Sequence, residues 1–158
     1  MRLPAPALAL AAFLAVALLV TAAHRGARHE AATVRASWAM TPGVLNPDVT
    51  QANIATTVCA RGWTKTIRPP VSYTNQLKLR QMHEYGLAGD PTDYQEDHLV
   101  SLELGGHPTD PRNLWPEPKP RAEEVDATEN DLNDRICNGS LSLAEAQRKI
   151  SELKHGQG

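Results

Sequence analysis

The chain has 158 residues, of which 22% are charged and 4% aromatic, and its formal net charge is −2. That length fits one domain behind an N-terminal targeting segment. So few rings exclude a stacking platform for single-stranded nucleic acid, and two cysteines without a Cys-X-X-Cys partner exclude a cysteine-based zinc site.

Arg2 is the only charge before His24, Leu8 to Val20 is an unbroken apolar run, and Thr21-Ala22-Ala23 offers small residues for cleavage. This order describes a secretory signal peptide over 1–23, which predicts a secreted or periplasmic protein. The alternative is an uncleaved anchor, because Leu3 to Ala23 approaches the roughly 20 apolar residues of a bilayer span, although Pro4 and Pro6 interrupt it. Residues 24–40 are rich in Ala, Arg and His without periodicity and read as a flexible leader. The domain is expected over 41–155, starting at the turn Thr41-Pro42-Gly43.

Thr50 to Cys59 reads as a short helix or strand. Trp63 to Ile67 alternates and is β-branched, which predicts a strand ending at Pro69-Pro70. Thr74 is placed to cap a helix from Asn75 to Tyr85, with Gly86 as its stop. Asp97 to Leu104 predicts a strand with His98, Val100, Leu102 and Leu104 on its packed face and Glu103 on its solvated face. Gly105-Gly106 and Pro108 to Pro111 form a connecting loop, and Asn113-Leu114-Trp115 reads as a return strand ended by Pro116. His83 and His107 read as surface histidines.

From Pro120 to Cys137 the helical period puts Ala122, Val125, Leu132 and Ile136 in one apolar stripe. Glu129 falls inside that stripe, and Asp126 and Asn133 at its edge. A carboxylate turned inward is costly unless a positive charge meets it, so either a metal or a basic residue is required near Glu129. Asn138-Gly139 stops the helix. Ser142 opens a capping box for a last helix whose Leu143, Ala146, Ile150 and Leu153 share a face, read as packing alone.

Cys59 and Cys137 are an even pair, which in an exported chain reads as a disulfide; two free buried thiols are the alternative. Charge is unevenly spread. Val49 to His83 holds Arg61, Lys65, Arg68, Lys78 and Arg80 and no acid, whereas Glu117 to Asp134 is strongly acidic. A basic half beside an acidic half suits a polyanion that meets a carboxylate-held cation, or it is two ordinary solvated faces.

The run Glu96 to Gly106, followed by Asp110 to Pro118, resembles the HNH, or His-Me finger, endonucleases, and in particular a subgroup of small exported bacterial proteins. Gly62-Trp63-Thr64 and Pro69 to Thr74 are similar to the upstream half of that subgroup. The resemblance covers about Thr41 to Ile150. It implies a small single α+β domain with a ββα-metal core and flanking helices. It also implies His98 as general base, Asn113 as the residue that holds the loop and orients His98, and Asp97 as a metal ligand. The third family position lies on the helix, where the stripe makes Glu129 the first candidate and Asp126 the second. Two departures are Ser101, where a proline is usual, and Val125, where a lysine often precedes the helix aspartate.

The residue types suit that chemistry. An imidazole titrating near neutrality can activate water, and carboxylate ligands favour Mg²⁺, with Mn²⁺ or Ca²⁺ as alternatives. The expectation is an exported, metal-dependent endonuclease on DNA or RNA with low sequence specificity, with phosphate contacts from Arg61, Lys65, Arg68, Lys78 and Arg80. The alternative is a non-catalytic nucleic-acid-binding module on the same scaffold.

Overall fold

A computed structural model of the chain describes residues 34–156. The expected signal peptide, its anchor alternative and most of the leader lie outside the described residues. In chain order the described elements are a 3₁₀ stretch (Gln51–Thr56), α1 (Trp63–Ile67), α2 (Val71–Glu84), β1 (Tyr94–His98), β2 (Leu114–Pro118), α3 (Lys119–Cys137) and α4 (Leu143–Lys154). Short 3₁₀ turns lie at Pro91–Asp93, Leu102–Leu104 and Pro111–Asn113. This is an α+β domain with one antiparallel pair of strands, in which β1, β2 and α3 follow one another as a strand–strand–helix run. Among the described residues no helix is long and apolar enough to cross a membrane.

Residues 63–67, expected as a strand, are a single helical turn. Gly62 turns the chain at φ 85°, a conformation that favours glycine. The Thr66 hydroxyl bonds Trp63 O, and the Arg68 amide bonds Thr64 O. Local hydrogen bonds therefore override β-branching where no neighbouring strand is on offer. Helix α2 starts at Val71, four residues before its expected first residue, because Pro70 takes the N-cap and needs no N–H partner there. Thr74 bonds back to Val71 O instead of capping.

The first strand runs from Tyr94 to His98 and stops where Asp97 to Leu104 had been expected to continue. The Leu99 amide donates to Asn113 O, the last contact of the ladder, and the chain then bends away. Leu99, Val100, Leu102 and Leu104 are all buried because they fill the underside of a turn, not because they alternate along a strand. The second strand runs through its prolines. Pro116 and Pro118 oppose Glu96 and Tyr94, and, being two residues apart, both aim their missing N–H away from β1.

Helix α3 buries Ala122, Val125, Glu129, Leu132 and Ile136, the predicted stripe with its carboxylate included. Those residues meet Val100, Leu104, Leu143, Ala146 and Ile150 in the main core. The Cys59–Cys137 disulfide is formed, with a Cα–Cα distance of 5.6 Å, and ties the chain before α1 to the end of α3. The packed unit begins at Arg35, so the end of the expected leader is built into it. There the Trp38 ring stacks on His155 at 3.6 Å and the Ala36 amide donates to Lys154 O.

Candidate active site

The turn between β1 and β2 is held by one side chain. Asn113 is fully buried. Its Oδ1 accepts from the Val100 amide at 3.0 Å, and its Nδ2 donates to Val100 O and His107 O, each at 3.0 Å. Gly106 lies against this knot so closely that a Cβ there would stand 1.7 Å from Val100 O. The loop is fixed from its other side by the Asn46 amide on Gly105 O and the His107 amide on Val44 O. His107 itself is not a free surface residue, since its Nδ1 accepts from the amides of Thr109 and Asp110.

That fixed loop presents the Pro108 carbonyl to His98, whose Nε2 lies 3.0 Å away. A carbonyl only accepts, so Nε2 carries the proton and Nδ1 keeps a lone pair. Burial is the main cause that lowers the His98 pKa, against the Pro108 bond and Asp97, which raise it. The ring is therefore neutral near pH 7, with one nitrogen anchored and the other able to accept a proton.

Strand alternation turns Asp97 and Glu117 to the opposite face from Glu96 and His98. On that face the structure brings Asp97 and Glu129 together, as the sequence led us to expect, but around an ammonium. Lys154 Nζ lies 2.5 Å from Asp97 Oδ2, 2.7 Å from Glu129 Oε1 and 3.4 Å from Glu117 Oε2, and donates to His98 O at 2.8 Å. Lys154 is wholly buried and belongs to α4, the helix expected to serve packing alone. The signal for it was present: Lys154 lies four residues after Ile150 on the buried stripe, a cation on one apolar face matching the carboxylate on another.

The electrostatics follow from this crowding. Burial opposes the charge on Lys154, but Asp97, Glu129 and Glu117 together hold its pKa far above the usual value. Burial would raise Asp97, yet Lys154 holds it at about 2. Burial dominates for the others, lifting Glu129 to about 7 and Glu117 to about 8 against the pull of Lys154. Glu117 also meets Arg121 at 3.3 Å, and the neighbouring Asp97 charge adds to burial in raising its pKa. The expected divalent ion does not fit this arrangement, because the best-placed oxygens of Asp97 and Glu129 are already bound to an ammonium. Among the described residues no group of three or more His, Cys, Asp and Glu side chains is arranged to hold a metal ion.

Beside the cage lies a cleft of about 250 Å³ lined by Thr64, Arg68, Ser101, Glu103, Asp126 and Glu129, among others. Asp126, the second metal candidate, is exposed on its rim and takes no part in the cage. Glu103, expected to be solvated, is half-buried, and burial followed by Asp126 raises its pKa. Arg68 lies on this cleft and its charge reaches His98. Arg61 and Lys65 are exposed nearby in sequence, and Arg80 is exposed on α2. Lys78 is used otherwise: its ammonium donates to Pro91 O at 2.8 Å and Tyr94 O at 3.1 Å, fastening α2 to the start of β1. No family model, curated protein or solved structure matches the chain.

Proposed function

We propose that this chain is a phosphodiester hydrolase of the HNH, or His-Me finger, kind, exported to an oxidising compartment and acting on DNA or RNA. The observation that carries the reading is the state of His98, a neutral buried imidazole tethered through Nε2 to Pro108 O, with Nδ1 left to accept a proton from water. Asn113 acts at one remove, by fixing the loop that carries that carbonyl. Arg68, with Arg61 and Lys65, would meet the phosphates. The Cys59–Cys137 disulfide supports an oxidising compartment. A divalent ion at Asp97 and Glu129 is not part of this reading, since Lys154 holds both carboxylates.

The test is nicking of supercoiled plasmid and degradation of RNA by the purified protein, in EDTA and in Mg²⁺, Mn²⁺ or Ca²⁺. His98→Ala is expected to lower the rate by roughly 10²–10⁴-fold with an unchanged circular dichroism spectrum; full activity in that variant rejects His98 as the base. One observation favours a second reading. With Lys154 buried among carboxylates, its ammonium is not open to a leaving oxygen, while Arg61, Lys65 and Arg68 are exposed, which suits a module that binds nucleic acid without cutting it. Retardation of DNA with no nicking in any ion would select that reading.

A further inference from the structure

Three carboxylates from β1, β2 and α3, with the carbonyl of His98, enclose one point in the fold. An all-oxygen cage of this kind is what hard divalent cations take. Here the occupant comes from the chain itself. We propose that Lys154 is the resident cation of the Asp97–Glu117–Glu129 cage and that its ammonium closes the cage to divalent metal.

Three features carry this. First, the ammonium is met on three sides: it donates to Asp97 Oδ2 at 2.5 Å and to His98 O at 2.8 Å, and it forms an ion pair with Glu129 Oε1 at 2.7 Å. Second, the lysine cannot readily swing out. Its helix buries Ala146 and Ile150 in the core, and its end is pinned by Ala36 N on Lys154 O, Arg121 Nη2 on Leu153 O and His155 Nε2 on Thr41 O. Third, a divalent ion entering beside Lys154 would compete for the same oxygens and stand against a positive charge in a buried, weakly screened place. Lys154 and Arg121 are the two cations that face the three carboxyls, and burial of Glu117, which favours its neutral form, offsets the remaining charge. The consequence for catalysis rests on the hydrolase reading above: any cleavage through His98 proceeds in EDTA.

The test is Mn²⁺ titration followed by electron paramagnetic resonance, with melting temperatures in EDTA and in millimolar Mn²⁺ or Mg²⁺, for wild type and Asp97→Asn. Wild type is expected to bind no Mn²⁺ through Asp97 and to melt at the same temperature with and without the ions. A second variant, Lys154→Ala, is expected to melt lower and to recover with ethylammonium but not with tetramethylammonium, which has no N–H to donate. Stoichiometric Mn²⁺ binding by wild type that Asp97→Asn abolishes overturns the inference, whether or not Lys154→Ala folds. The two readings fail separately. Absence of nicking with no Mn²⁺ bound removes the hydrolase and keeps the resident cation, whereas Mn²⁺ bound through Asp97 with strictly metal-dependent nicking does the reverse.

Discussion

Asn113 and Glu96 are buried polar side chains with opposite fates. Asn113 has three hydrogen bonds in a site with no water access, so Asn113→Ala is expected to cost about 3 kcal/mol, read from urea melts, and to release the Pro108 carbonyl from His98. Glu96 has both carboxyl oxygens buried with no hydrogen-bond partner among the described residues. Burial first, then Asp97, raises its pKa from 4.5 to about 8. A carboxyl raised in this way stabilises the fold fully below its unfolded pKa, and that stability is lost as pH rises through the folded one. Glu96→Gln should therefore leave the melting temperature nearly unchanged at about pH 4 and raise it above about pH 8. The loop-holding part of Asn113, implied by the resemblance of a short motif, is matched by its hydrogen bonds to Val100 and His107. The fate of Glu96 was not legible, since nothing in Glu96-Asp97-His98 tells which of two adjacent acids will pair with the buried ammonium and which will be buried without a hydrogen bond.

Elements with a strong period were read well and those with local chemistry were not. The stripe of α3 repeats over several turns, so its burial and the anomaly of Glu129 were both visible. Helix α1 has one turn, too short for any period, and its glycine start outweighed its β-branched residues. The apolar run after His98 was long enough to be mistaken for a strand because a buried turn and a buried strand share a composition. The cysteine pair was the reverse case, legible from its even number and the expected compartment. It links segments 78 residues apart, so replacing both cysteines by alanine should lower stability by about 4 kcal/mol on the chain-entropy model. Chemical denaturation of the double variant, beside wild type in reductant, checks this.

For the molecule as a whole, the two charged halves seen in the sequence are not equivalent faces, because the acidic one sends Glu117 and Glu129 inside. Its pH profile should reflect that. Asp97, lowered from 3.8 to about 2, adds stability above its unfolded pKa that is lost as pH falls through the folded one. Glu96, Glu117 and Glu129, raised from 4.5 to about 8, 8 and 7, lose theirs as pH rises through those values. The melting temperature is therefore expected to peak near about pH 4–5 and to decline toward pH 8; a maximum at pH 8 in a calorimetric series would contradict this. The order of the residues along the chain has a further effect. Asp97, Glu117 and Glu129 are all synthesised before Lys154, and burying them without a partner is prohibitively costly. A nascent chain that has not yet reached α4 is thus held open by its own charges, and it closes only when the helix bearing the counter-charge has emerged.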